Sequence, residues 1–412
     1  MRTGKTTESV GALFEPLVLR NTTLKNRLIR SATYEGLGDS NGAPRVELAD
    51  LYKELANGGV GTIITGFVFV SQAGRAMQPQ QCGIDMDDKI PDWSNIVGRV
   101  RRDHTDIRLF MQIAHTGRQT RRELTGLPVM GVSSRRCAYF KQKVHVLDDA
   151  GIESVIQEFG NAARRAQRAG FDGVQVHAAH GYLIHQFLSP WINTRADKWS
   201  DGPRFLEAVI RRIRSQCGSE FPVLVKLSWA DDNRPGVNLE STIHTVKRLE
   251  PLGVDGVEIS YGSMEFALNI IRGACPVSVI LNVNPLFNRI PGIFRKLWKR
   301  IYLPGYLNRL QPFSENYNLS AALKVSAETR LPVMVVGGIR SADSMMDCLK
   351  KGISAVSLCR PLICEPDLPR AIKRGESSKS RCTNCNLCAV YCDSANALKC
   401  YQNREERINE KT

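Results

Sequence analysis

No stretch of 18 apolar residues occurs in this 412-residue chain, so no transmembrane helix is expected. Residues 1–9 hold no apolar core of the kind a secretory signal needs. A cytoplasmic location follows as the expectation. The 12 cysteines agree with it: seven (82, 137, 217, 275, 348, 359 and 364) are scattered without paired spacing, which suggests reduced thiols. A third glycine is missing from Gly36-Leu-Gly38, the early candidate for a phosphate-binding turn. That speaks against a doubly wound dinucleotide fold. Acidic residues are absent from Phe266 to Ser314, where seven basic ones stand, against a whole-chain net charge of +15. The basic excess has no nucleic-acid motif beside it, so no nucleic-acid partner is expected.

What the chain does have is a repeated alternation. Eight apolar, β-rich runs recur: Leu28–Thr33, Gly61–Val70, Arg108–Thr116, Gly173–Ala179, Val223–Trp229, Gly256–Tyr261, Val333–Gly337 and Ala355–Leu358. Segments such as Ile152–Ala169 and Pro203–Cys217 between them carry apolar residues at helical spacing. Runs buried on both faces that alternate with helices predict a parallel sheet, and eight units predict a closed (β/α)8 TIM barrel of the α/β class. The barrel is expected over 1–375, with a basic insertion after the sixth strand at about 266–315. A cysteine-rich appendage follows at 376–412, after a polar linker.

Chemistry in such a barrel sits at the C-terminal strand ends. Strand 3 ends at Gln112, strand 4 at His177-Ala-Ala-His180-Gly-Tyr182, and strand 5 carries Lys226. Strand 7 ends in Gly337-Gly338 and strand 8 in Arg360. Two imidazoles with a phenol two residues on can hold a carbonyl oxygen and deliver a proton beside it. Two glycines let backbone N–H groups approach a phosphate, and Arg360 adds a charged fork. The insertion contains a basic amphipathic stretch, Phe294–Tyr302, bounded by Pro291 and Pro304. Three readings stay open for it: a lid over the mouth, an attractant for an anionic substrate, or a docking element for an acidic membrane or redox partner.

Several runs together carry a family resemblance. Asn26–Thr33, Gln112-Ile-Ala-His-Thr-Gly-Arg118, the run from His177 to Pro190, Asn193-Thr-Arg195-Ala-Asp197 and Val335-Val-Gly-Gly-Ile-Arg340 occur in that order. Over roughly residues 10–375 the chain resembles the old yellow enzyme family of FMN-dependent ene-reductases and NADH:flavin oxidoreductases. The branch it is most similar to holds bacterial 2,4-dienoyl-CoA reductase and trimethylamine dehydrogenase. The resemblance implies non-covalent FMN at the barrel mouth and NADH or NADPH as reductant. Ser31, Ala32 and Thr33 would lie along the flavin ring, and Gly66 would let the ring approach. Gln112 and Lys226 would meet the pyrimidine edge; many relatives have arginine where Lys226 stands. Gly337, Gly338 and Arg360 would hold the phosphate. His177 and His180 would clamp the substrate oxygen, with Tyr182 as proton donor. Tyr34 would narrow the pocket where relatives often have a small polar residue or cysteine.

In the tail, Cys382-x2-Cys385-x2-Cys388-x3-Cys392 resembles a bacterial ferredoxin run, with Asp393 in place of the usual proline. Thiolates at these spacings suit [4Fe–4S] or zinc, with the cluster favoured. Cys400, separated from Cys388 by eleven residues, matches the dienoyl-CoA reductase spacing. The expected ligands are therefore Cys382, Cys385, Cys388 and Cys400, with Cys392 as substitute. The expected activity is hydride transfer from reduced flavin to an unsaturated carbonyl compound, neutral or anionic. Amine dehydrogenation and an electron-transfer role with a partner protein are the alternatives. A homo-oligomer is expected.

Overall fold

The computed structural model describes residues 10–394 and 396–402. Eight strands form the barrel: β1 (Leu28–Arg30), β2 (Thr62–Ile64), β3 (Arg108–Ala114), β4 (Gly173–Ala178), β5 (Val223–Ser228), β6 (Gly256–Ser260), β7 (Val333–Val336) and β8 (Ala355–Leu358). Each pairs in parallel with its neighbours, and β8 closes on β1 through Val356↔Leu28, Ser357↔Ile29 and Leu358↔Arg30. Each of the eight runs read from the sequence contains one of these strands, and the fold is the (β/α)8 barrel.

The period of two in a strand explains why this sequence closes. Residues Val174, Val176, Val225, Leu227, Val257 and Ile259 face out, into one large apolar cluster with the helices. Inward residues make two layers of opposite character. The lower layer is apolar: Ile29, Ile64, Phe110, Leu224, Met334 and Ala355. An N-terminal hairpin, Leu17–Val18 with Thr23–Leu24, seals it from below through Leu17, Leu19 and Leu24. Two residues further along the same strands the layer turns polar: Ser31, Gln112, Lys226 and Ser357, all buried. A site is thus built directly upon a packed floor.

The outer helices are amphipathic. On α3 (Asp149–Arg168) Ile152, Val155, Ile156, Phe159 and Ala163 are buried, and Asp148 Oδ1 caps it by accepting from the Gly151 N–H at 2.8 Å. It packs on α4 (Gly202–Cys217), which buries Phe205, Leu206, Val209, Ile210 and Ile213. The remaining barrel helices are α1 (Glu47–Asn57), α2 (Ile90–Asp103), α5 (Leu239–Leu249), α6 (Leu319–Ser326), α7 (Ala342–Lys350) and α8 (Leu368–Lys373).

The segment between β6 and α6 carries short helices at Ala267–Ile270 and Val277–Val283, then a longer insertion helix, Gly292–Leu307. That helix runs through Pro304, which the sequence reading took as its boundary; Pro304 O still accepts from the Asn308 N–H at 3.0 Å. The tail returns to the barrel. Lys379 bridges to Ser341, Arg381 pairs with Glu365 at 2.9 Å, and the tail helix Leu387–Cys392 packs on the insertion. Val279, Leu387, Val390 and Tyr401 make a small apolar core between them.

Candidate active site

A cavity of about 250 Å³ opens at the C-terminal ends of the strands. Ser31, Ala32, Thr33, Gln112, His177, His180, Tyr182, Lys226, Gly337, Gly338 and Arg360 all line it. Residues more than three hundred positions apart in sequence therefore share one space, as strand-end placement predicts.

One end is a buried polar chain. Gln112 Nε2 donates to Gln175 Oε1 (2.7 Å), and Gln175 Nε2 donates to Glu258 Oε2 (3.0 Å). Lys226 Nζ lies 3.1 Å from the same Glu258 oxygen and donates to Ser31 Oγ at 2.9 Å, while Ser31 donates to Glu258 Oε1. Burial alone would raise the Glu258 carboxyl, but the Lys226 ammonium and the hydroxyl donors hold it below its ordinary value. Gln175 and Glu258 were not among the residues singled out from the sequence. The signal was there: a carboxylate inside an otherwise apolar strand, Gly256–Ser260, cannot be buried without a cation.

At the centre stand the histidines. The rings of His177 and His180 lie 5.0 Å apart at 89°. His177 Nδ1 accepts from the Ala179 N–H at 3.3 Å, which leaves the proton on Nε2. His180 sits at φ 62°, and its Nε2 is 2.9 Å from Ser260 Oγ. Burial holds both imidazoles well below their ordinary value, so they are neutral at pH 7. The Tyr182 ring lies 4.9 Å from His177 and 5.4 Å from Phe67, and burial raises its phenol above the ordinary range.

The other end brings two glycines and an arginine together. Gly337 (φ 131°) and Gly338 (φ 75°) adopt backbone that side chains avoid, and a Cβ on either would strike Tyr317 or the Ser314 carbonyl. Arg360 projects beside them, its Nη1 donating to Asn386 Oδ1 at 2.6 Å. Asn386 in turn donates to the Ala274 carbonyl at 2.9 Å. The tail loop thus steadies the arginine.

Three expectations need correction. Gly66 does not line the cavity: its Cβ would fall 2.1 Å from Glu35 Oε2 and 2.8 Å from the Thr33 carbonyl. The glycine is required by Glu35, which accepts from the Gly66 N–H at 2.8 Å. The insertion helix Gly292–Leu307 contributes nothing to the cavity wall; Met264, Ala267, Ile270 and Ile271 do the covering. Cys392 points away from its sister cysteines, its Sγ 3.5 Å from the Tyr34 carbonyl, and lines the main cavity with Asp393. Cys388 and Cys392 share one face of the tail helix but stand a turn apart, about 6 Å along its axis, so only the first reaches the other thiols.

The other four cysteines converge on a small void: Cys382, Cys385, Cys388 and Cys400, joined by Cys364, which was not foreseen. Burial pushes the Cys388 thiol up to about 12; burial and then neighbouring Cys400 do the same to Cys364. Among the described residues no three His, Cys, Asp or Glu side chains stand in metal-holding geometry.

Tyr34 does narrow the pocket, 5.8 Å from Phe67, with its hydroxyl buried and unpartnered. Asp393 closes the same wall, accepting from Gln78 Nε2 at 2.8 Å. Burial raises its carboxyl to about 6.

The model of the NADH:flavin oxidoreductase / NADH oxidase family matches residues 12–280. An NADH oxidase from Thermoanaerobacter brockii is 29% identical over 382 residues, which is 91% of this chain and 53% of that protein. A 4,4'-dithiodibutanoate disulfide reductase from Rhodococcus erythropolis is 27% identical over 93% of both chains. Among solved structures, a 2-naphthoyl-CoA reductase in complex with 2-naphthoyl-CoA superposes with a TM-score of 0.79 at 22% identity, over 95% of this chain and 56% of that one. The chain spans about half the length of the NADH oxidase and of the naphthoyl-CoA reductase.

Proposed function

The chain belongs to the NADH:flavin oxidoreductase / NADH oxidase family and is an FMN-dependent oxidoreductase, and we propose that it reduces the activated C=C of an α,β-unsaturated carbonyl or enoyl ester, with NAD(P)H as electron source. The observation that carries this reading is the pair of neutral, mutually perpendicular histidines beside Tyr182 in the cavity wall.

The donor set fits FMN. The cradle of Gly337, Gly338 and Arg360 suits its phosphate, and the apolar flank of Ala32 and Val336 suits a flat ring. Gln112 and Lys226 suit the pyrimidine edge. FMN, when bound, supplies the two-electron hydride chemistry.

The protein's own groups do the rest. His177 offers an Nε2 proton to the substrate oxygen without being acidic enough to lose it, so it stabilises the negative charge that grows there. His180 shares that oxygen, its ring held by Ser260. Tyr182 keeps its proton until the α-carbon becomes basic enough to take it. Lys226, fixed by Glu258 and Ser31, holds positive charge at the polar end of the cavity.

For the tail we favour a [4Fe–4S] cluster on Cys382, Cys385, Cys388 and Cys400 over zinc. The support is the ferredoxin-like spacing together with the four cysteines lining one void. Such a site would accept electrons singly, from or for a partner protein.

A second reading, oxidation of an amine, is favoured by one observation: the Asp393 carboxyl on the cavity wall would attract an ammonium group. Anaerobic stopped-flow mixing separates the two. Photoreduced protein should be reoxidised by 2-cyclohexen-1-one or a short enoyl-CoA. If neither reoxidises it and an amine reduces the oxidised protein, the alkene reading fails.

A further inference from the structure

The insertion helix Gly292–Leu307 has no buried residue, yet it is rich in large apolar side chains. Ile293 is 82% exposed, Phe294 57%, Leu297 53% and Ile301 57%. Their spacing of i, i+1, i+4 and i+8 puts all four on one stripe about 100° wide. The opposite side holds the helix to the protein. Trp298 packs on Phe287 with ring centres 5.8 Å apart, and Arg295 Nη1 donates to Asn282 Oδ1 at 2.7 Å. The amphipathic pattern therefore runs the reverse of an ordinary surface helix, with its apolar stripe pointing at solvent.

Scattered apolar residues on a surface need no explanation, but a continuous stripe does. Lys296 and Arg300 fall along its edge, with Lys299 further round. Among the described residues none of the three has a carboxylate within 4 Å. The whole segment from Phe266 to Ser314 lacks acidic residues. An exposed apolar stripe edged by unpaired cations on long stems matches a surface with an oily interior and anionic headgroups. A groove in a protein partner would need a complementary concave shape; a bilayer needs only depth and charge.

We propose that the helix Gly292–Leu307 docks this protein on anionic membrane surfaces, lying in the headgroup plane with Ile293, Phe294, Leu297 and Ile301 inserted. The segment leaves the C-terminal end of β6, and its first turns, Met264–Ile271, line the active-site cavity. The docking helix is thus continuous in sequence with part of the cavity wall.

The test is co-sedimentation of the flavin-loaded full chain with vesicles. Vesicles of 70% phosphatidylcholine and 30% phosphatidylglycerol should bind at least tenfold more protein than pure phosphatidylcholine, and added salt should weaken the binding. Leu297→Ser with Ile301→Ser, and separately Lys296→Glu with Arg300→Glu, should each abolish it while the flavin spectrum and melting temperature hold. Equal binding to both vesicles, no binding to either, or binding unaffected by both double variants overturns the proposal. Dimerisation in light scattering that Leu297→Ser with Ile301→Ser abolishes, without vesicle binding, overturns it in favour of a second copy on this face.

Discussion

Lys226 Nζ lies 3.1 Å from Glu258 Oε2, and both side chains are sealed inside the barrel on adjacent strands in register. Removing one partner of such a pair strands the other in low dielectric. Lys226→Met is therefore expected to cost roughly 3 kcal/mol of stability or more, read as a lowered denaturation midpoint. It should also weaken the hold on reduced flavin more than on oxidised flavin, visible as a more negative reduction potential. A stable variant with unchanged potential would show that Lys226 merely packs.

His177→Ala and His180→Ala are each expected to lower kcat/KM for an enone by about 10²- to 10³-fold. Because burial keeps both rings neutral, neither should impose a titration on the rate between pH 6 and 9. A rate that falls away with a histidine-like titration in that window would contradict the neutral assignment.

Tyr182→Phe separates the two half-reactions. Oxidation of the reduced protein by an enone should slow by about 10²-fold or more, since the proton at the α-carbon then comes from water. Reduction by NAD(P)H involves no such proton and should proceed at the parent rate. Stopped-flow absorbance of each half-reaction checks this.

Gly66→Ala distinguishes the two roles considered for this glycine. The new methyl collides with Glu35, so stability should drop by about 1–3 kcal/mol. The loss should be as large in the flavin-free protein as in the loaded one, because the collision is with Glu35 and the Thr33 carbonyl. A flavin ring pressed against Gly66 would instead predict a loss confined to the loaded protein.

Asp393 carries a pH signature of opposite sign to a salt-bridged carboxylate. Its folded-state value, about 6, lies above the ordinary 3.8, so the folded protein binds this proton more tightly than the unfolded chain. Its stabilising contribution is complete below about pH 4 and is lost as pH rises to about 6. Asp393→Asn should flatten the melting temperature across that window. An unchanged slope would mean the carboxyl is solvated.

The barrel was legible because parallel strands are buried on both faces and so announce themselves as apolar runs. The strand-end residues were legible too, since polarity there has few other causes. Glu258 and Gln175 escaped notice because their partners come from other strands: Gln175 and Glu258 are 83 positions apart, and no local pattern joins them. Gly66 was misread for the same reason, as its neighbour is Glu35 rather than the cavity. The amphipathicity of Phe294–Tyr302 was plain, but periodicity states only that a helix has two faces. Which of them meets the protein is decided by Phe287 and Asn282, far from any helical repeat.

Asn386 grips Arg360 at the Gly337–Gly338 end of the cavity and stands between Cys385 and Cys388. Two binding events therefore draw on one loop conformation. Whatever fixes the cysteines in place also prepays the ordering of the arginine, and an anion on the arginine returns the favour to the cysteines by the same factor. Loading of the tail and loading of the barrel are thus expected to be cooperative equilibria, and each should be measured in the presence and absence of the other.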